Sequence, residues 1–277
     1  MDYTVVIPSY KRAETCRDKT LAVLHEYKIP AERIVVVVAD TEQEALYKET
    51  LKPGTYGKIR VGLPGVASVR NWIFNNFPKG EKLVCCDDDI RGFIEYTPST
   101  KRHEQRLRSL KGIIERGFKE CEKAGASLWG VYPSANGYFM KPTVTTDLRF
   151  IIGSFWGCIN PGKDIQVERG EKDDYERSIK FYIQDGSVVR LNFVSPKTAY
   201  YKEPGGMQTR KNRLKHQLAA VKALSRKYPK FVKVNTTRKS GFPEILLADR
   251  EEKDREEKDR EEKDREEKDR EEKGVKN

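Results

Sequence analysis

The sequence predicts an α/β fold built on a mostly parallel sheet with helices on both faces, followed by a C-terminal helical extension. Three observations predict it. Tyr3–Ile7, Ile34–Val38 and Leu83–Cys86 are short, nearly continuous apolar runs, as strands covered on both faces read. They alternate with helix-like segments across short turns, the β-α-β order of a parallel sheet. Three runs also end in polar residues: Pro8-Ser9-Tyr10-Lys11-Arg12, Asp40 and Asp87-Asp88-Asp89. Open α/β sheets place their ligands at such carboxyl ends.

Taken in order, Tyr3–Ile7 is the first strand, and a helix follows from about Thr15 or Asp18 to Tyr27, with Pro30 helping to end it. The second strand, from Ile34, runs into Asp40, Thr41–Leu51 reads as a helix and Lys58–Val61 as a short strand. Leu63–Ser68 turns into a helix through Phe77, with Val69, Trp72 and Ile73 on its apolar face and Arg70 and Asn71 near its start. The strand Leu83–Cys86 is the fourth. Residues 101–123 read as an amphipathic helix: Leu107, Leu110, Ile113, Ile114 and Phe118 face inward, and Lys101, Arg102, Arg106, Arg108, Lys111 and Arg116 give a cationic outer side. Ser127–Tyr132 is a strand, 133–146 a loop or hairpin, and Leu148–Asn160 a strand pair around Phe155-Trp156-Gly157. A helix begins at Asp173-Asp174 and a strand spans Ser187–Phe193. A basic helix at about 211–228 buries Leu214, Leu218, Val221 and Leu224.

The chain has 277 residues, 37% of them apolar, enough for one large domain, assigned to 1–240. Residues 249–273 repeat Asp-Arg-Glu-Glu-Lys five times, with 10 basic and 15 acidic residues, so the rest carries 44 basic against 28 acidic and a net charge of +16. The repeat has acid-before-base pairs at four-residue spacing and no apolar stripe, which suits a solvated helix and excludes a coiled coil. A basic body points to polyanionic or phosphate-bearing partners. Five Cys lack a CxxC pair and any zinc-like His spacing, as expected of reduced thiols. Neither a signal peptide nor a membrane span is read, so a cytoplasmic location and no membrane partner are expected.

Three adjacent carboxylates at a strand end repel one another unless solvated or neutralised, and Mg²⁺ or Mn²⁺ neutralises such oxygen sets through one or two carboxylates plus a substrate's phosphates. A solvated Asp-rich turn accounts for the same residues. Asp173-Asp174, with Glu171 close by, suits a general base that takes a proton from an acceptor, and equally the acidic first turn of a helix. Gly205-Gly206, beside Arg210 and Lys211, suits a mobile phosphate-contacting loop or a plain turn.

Val5-Val6-Ile7-Pro8-Ser9-Tyr10-Lys11-Arg12, Asp40, Gly65 with Arg70-Asn71, and Asp87-Asp88-Asp89, in that order, resemble the motifs of nucleotide-sugar glycosyltransferases of the GT-A fold, family 2 in particular, over roughly residues 3–180. The resemblance implies a nucleotide half at about 1–100 and an acceptor half at about 125–210. It implies donor contacts from Pro8, Ser9, Tyr10, Arg12, Asp40, Arg70, Asp87 and Asp88, and metal binding by Asp89, with His216 a further candidate ligand. Asp173-Asp174 resembles the family's Glu-Asp acceptor motif with Asp in first place, which makes Asp174 the candidate base and Asp173 its neighbour in the catalytic pair. Pro8-Ser9-Tyr10-Lys11-Arg12-Ala13-Glu14-Thr15, Asp18-Lys19-Thr20-Leu21 and Gly205-Gly206-Met207 resemble the TET-associated glycosyltransferases, which are predominantly phage-encoded relatives of the base J glucosyltransferase. That resemblance implies a UDP-sugar donor, UDP-glucose foremost, Mn²⁺ or Mg²⁺, and an acceptor of 5-hydroxymethylcytosine or 5-hydroxymethyluracil in DNA. Trp156, Arg210, Lys211 and Arg213 are the expected acceptor contacts. Two alternatives stand beside it: a GT-A enzyme acting on a glycan, lipid or protein, and a non-enzymatic nucleic-acid-binding module.

Overall fold

The computed structural model describes residues 1–198, 213–235 and 244–249. Its main sheet joins β1 (Thr4–Pro8), β2 (Ile34–Val38), β3 (Lys58–Val61), β4 (Lys82–Cys86), β7 (Leu128–Val131), β8 (Val144–Thr145), β9 (Phe155–Ile159) and β10 (Val189–Leu191) in the order β3-β2-β1-β4-β9-β7-β10-β8. β3, β2, β1 and β4 are mutually parallel, as are β7 and β10. β9 runs antiparallel between β4 and β7.

Alternate side chains of the parallel strands enter two cores, which is why these strands read as unbroken apolar runs. Val5, Ile7, Val36, Val84 and Cys86 pack with Leu21, Leu24, Tyr47, Ile114 and Phe118 on one face. Those partners come from α2 (Ala22–Glu26) and the π-helical turn before it (Arg17–Leu21), from α3 (Thr41–Thr50), and from α5 (Leu110–Ala124). Val6, Val37, Leu83 and Cys85 pack on the other face with Ile73, Phe74, Phe181 and Tyr182 of α4 (Val66–Asn76) and α6 (Asp173–Asp185). The helix expected from Thr15 or Asp18 starts earlier, as α1 (Ala13–Cys16), and passes through the π turn into α2.

Three expectations are corrected. Residues 101–109 are not helical: β5 (Gly92–Tyr96) pairs with β6 (Glu104–Arg106) and with β11 (Val194–Lys197) in a second, three-stranded sheet. The helix starts only at Leu110, capped by Ser109, whose hydroxyl accepts from the Gly112 amide at 3.0 Å. Its outer side is not a plain cationic stripe, because Lys111 faces Glu115 at 4.0 Å, Arg116 faces Glu120 at 3.9 Å and Lys123 faces Glu120 at 3.1 Å. In the stretch Leu148–Asn160 only Phe155–Ile159 is strand, so no pair forms there. The helix α7 (Arg213–Lys227) buries Gln217, Ala220, Val221 and Leu224, whereas Leu214 and Leu218 are 45% and 48% exposed. Val221 and Leu224 are thus buried as expected, and only the first half of the stripe differs, where Gln217 and Ala220 replace Leu214 and Leu218.

α7 packs against Ile179 of α6 and against the hairpin of β12 (Val232–Asn235) and β13 (Glu244–Leu247). Asp249, first residue of the repeat, belongs to this body: it is buried, accepts from the Tyr182 hydroxyl at 3.2 Å and lies 3.7 Å from the Lys230 ammonium. The other repeat residues and Gly205-Gly206-Met207 fall outside the described residues. All five cysteines are free and buried, and among the described residues no helix is long and apolar enough to cross a membrane.

Candidate active site

The sheet order makes β2, β1 and β4 neighbours, so Asp40, Ser9 and Asp87–Asp89 emerge on one rim. On it, the Arg12 amide donates to the Tyr47 hydroxyl at 3.1 Å, that hydroxyl meets the Ser9 hydroxyl at 2.6 Å, and Ser9 donates to Asp88 at 2.5 Å. The Arg12 guanidinium spans Asp88 at 3.1 Å and Asp89 at 3.0 Å. Burial pushes the Asp88 carboxyl up to about 7, against the pull of Arg12 and Ser9. Ser9 and Asp88 are thus buried and hydrogen-bonded within the protein, where they brace the turn. Asp40 is exposed and caps α3, accepting from the Gln43 amide at 2.8 Å. Pro8 closes β1, and Tyr10 stays 41% exposed, with the Lys11 ammonium 5.2 Å from its ring.

A second group gathers behind the first. Arg70 of α4 donates to Asp87 at 3.1 Å and to the Gly153 carbonyl at 3.2 Å, and its Nε lies 3.9 Å from Asp173. Arg177, one turn into α6, lies 3.8 Å from Asp173 and donates to the Ile151 carbonyl at 2.9 Å. The Asp87 amide donates to the Ser154 carbonyl at 2.9 Å. The stretch expected as a strand therefore hands the carbonyls of Ile151, Gly153 and Ser154 to the site. Gly153 lies against both groups: a Cβ there would meet the Asp174 Cβ at 3.8 Å and Arg70 Nη2 at 4.0 Å, ordinary contact distances.

Asp173 and Asp174 occupy the first turn of α6, where the helix dipole favours negative charge. Burial nevertheless raises both carboxyls, and Asp173 raises Asp174 further, while Arg70 and Arg177 hold Asp173 back. Lys172 enters the helix at φ 63, a left-handed conformation uncommon outside glycine. Asp87, 40% exposed at its side chain, is pushed up to about 6, chiefly by desolvation in the cleft and also by Asp89 and Asp173.

The donor set fits a hard divalent cation with a phosphate ligand. Asp87 and Asp89 offer carboxylate oxygens from one turn, and no group of three or more His, Cys, Asp or Glu able to hold an ion exists among the described residues. A site with one or two carboxylates completed by substrate phosphates has that form. Buried polar atoms without hydrogen-bond partners, Arg12 Nε, Arg70 Nε and Nη1, and Asp173 Oδ2, the last held only by long ion-pair contacts, leave room for a polar occupant or water beside them.

The remaining assignments fare differently. Trp156 is 0% exposed, in β9 beneath the Arg177 guanidinium at 3.9 Å, so it cannot stack on an acceptor base. His216 is half-buried on α7 and joins no such ligand cluster among the described residues. Arg210, Lys211 and the Arg213 side chain lie outside the described residues. Arg177 and the 151–154 carbonyls were missed. Their only sequence signal was the Arg four residues after Asp173, the spacing at which helix residues face one another.

No protein-family model matches the sequence, and no curated protein matches it. Among solved structures, the chain is similar to S. aureus TarS 1–349, at 16% identity over 69% of this chain and 58% of that one, with a TM-score of 0.44. The same fragment in complex with UDP gives 15%, 69%, 58% and 0.43. The mannosyltransferase PcManGT from Pyrobaculum calidifontis, in complex with GDP-Man and Mn²⁺, gives 16% identity over 57% of this chain and 44% of that one, with a TM-score of 0.35. The chain thus spans less than two thirds of either protein. At these scores the likenesses decide nothing about chemistry, which rests on the side chains of this chain.

Proposed function

We propose that the chain is a divalent-metal-dependent glycosyltransferase that moves a sugar from a UDP-sugar, UDP-glucose foremost, to the hydroxymethyl group of 5-hydroxymethylcytosine or 5-hydroxymethyluracil in DNA. The observation that carries the transferase reading is the meeting, around Arg70, of Asp87 from the strand-end triplet and Asp173 from the acidic start of α6, with Asp174 beside them. Asp87 and Asp89 would hold the metal, which when bound supplies positive charge for the leaving diphosphate. Asp174 takes the proton of the acceptor hydroxyl as its oxygen bonds to the anomeric carbon and the bond to the nucleotide diphosphate breaks. Asp173, fixed between Arg70 and Arg177, orients the turn that presents Asp174.

The DNA acceptor rests on the resemblance and on the +16 charge outside the repeat. Tyr138 and Phe139, 61% and 62% exposed, are the most exposed aromatic side chains among the described residues and offer a stacking surface for a base. A glycan, lipid or protein acceptor is the second reading, favoured by the carboxylate partners of Arg102, Arg106 and Arg108, which temper the cationic surface.

Incubating hydroxymethylated DNA and Mn²⁺ with a panel of nucleotide sugars, followed by nucleoside mass spectrometry, tests the proposal. One hexose is expected on the modified nucleoside, with activity falling steeply as salt rises. Asp89→Asn is expected to abolish transfer while leaving the melting temperature of the unliganded protein close to wild type. Metal-dependent donor hydrolysis without labelled DNA would move the acceptor to the second reading. Absence of any stabilisation by donor plus Mn²⁺ would defeat the transferase reading itself.

A further inference from the structure

Thr20 sits in the π-helical turn Arg17–Leu21, between α1 and α2, and is 1% exposed. Such turns are rare and occur frequently at functional sites. Its hydroxyl donates to the Asp87 carbonyl at 2.7 Å and accepts from the Ile90 amide at 2.9 Å. One oxygen atom thereby closes the chain across Asp88 and Asp89. Ser9 and Arg12 hold side chains, of Asp88 and of Asp88 and Asp89, and the Asp87 amide is tied at one end of the turn to the Ser154 carbonyl at 2.9 Å. Thr20 alone among these groups grips the main chain of the triplet at both ends.

We infer that Thr20 is a positioning residue for the cation site, fixing the backbone of the Asp87–Ile90 turn so that the Asp87 and Asp89 carboxylates keep a common aim at one ion. The inference rests on the proposed metal-dependent function. The hydroxyl needs both its proton and a lone pair, so valine, of nearly equal shape, loses both hydrogen bonds, and serine keeps both. The methyl group is packing. The hydroxyl is the clamp.

Mn²⁺ is titrated into wild type, Thr20→Val and Thr20→Ser, with UDP or GDP present, and free Mn²⁺ is followed by electron paramagnetic resonance. Circular dichroism and melting of the unliganded proteins report the fold separately. Loss of groups that orient metal ligands typically weakens binding about 10- to 100-fold, and a loss of that size is expected for Thr20→Val. Thr20→Ser is expected to bind as wild type does, and Thr20→Val to regain most of its kcat at saturating Mn²⁺. Wild-type Mn²⁺ affinity in Thr20→Val, or a loss in Thr20→Ser equal to that in Thr20→Val, overturns the clamp. If Thr20→Val does not fold, Thr20→Ala, with space for water, takes its place under the same criteria. If wild type itself takes up no Mn²⁺ with either nucleotide, the metal-dependent reading fails, and the clamp with it.

Discussion

Asp174→Asn is expected to lower kcat by about 10²- to 10⁴-fold, the contribution typical of a positioned general base. The fold should survive it. The Asp174 carboxylate accepts from the Tyr175 amide at 3.0 Å, a bond the Asn carbonyl can keep, and the change removes a negative charge beside Asp173. The wild-type rate should also fall on acidification. A base works when ionised, and burial together with Asp173 raises Asp174, so the acid limb should lie above the ordinary carboxylate value of about 4. Activity is then present above that limb and lost as pH falls through it. Steady-state rates across pH, with melting curves on the same samples, check both statements. Full activity in Asp174→Asn would exclude Asp174 as the proton acceptor.

Arg177→Met is expected to cost about 3–5 kcal/mol of stability, the range for breaking a buried ion pair from one side. Arg177 is 1% exposed, and its guanidinium lies 3.9 Å from the centre of the Trp156 ring, donates to the Ile151 carbonyl at 2.9 Å and faces Asp173 at 3.8 Å. Methionine fills much of the volume but leaves that carbonyl without its donor and Asp173 with one cation fewer. Lys227→Met provides the contrast. Lys227 is 40% exposed and pairs with the exposed Glu168, a kind of pair that contributes about 0–1 kcal/mol, and with the buried Glu176, which keeps Lys180 at 3.4 Å when Lys227 is removed. Urea unfolding of both variants measures the difference, and an equal, small loss in each would show that Arg177 is not the strut described here.

The parallel half of the fold was legible because its signals are local. The valine runs of β1 and β2 fill both faces of the sheet, and Asp40 caps α3 as an Asp before a helix is expected to. The start of α6 at Asp173 was legible for the same reason. Residues 148–154 misled because their composition suits a strand, while their backbone carbonyls are taken by Arg70, Arg177 and the Asp87 amide, leaving no ladder to join. On α7, Val221 and Leu224 meet Ile179 as the apolar spacing suggests, but one turn earlier Gln217 and Ala220 are buried in place of Leu214 and Leu218, because packing fixes the rotation of the helix. Trp156 carried the same ambiguity, since an aromatic beside glycine suits a binding platform and a core equally well.

The sequence by itself determined the order of the elements from β1 to β4, the rim on which β1, β2 and β4 end, and the two acidic clusters at the fourth strand and at the start of α6. These follow from hydrophobic period, turn chemistry and capping, which act over a few residues. Only the tertiary structure decided which carboxylates point where. Asp88 turns inward to Ser9 and Arg12, Asp87 remains open beside Arg70, and Asp173 locks between two arginines that stand far apart in the chain. A buried charge must find a partner, and a partner 100 residues away leaves no periodicity in the sequence to announce it.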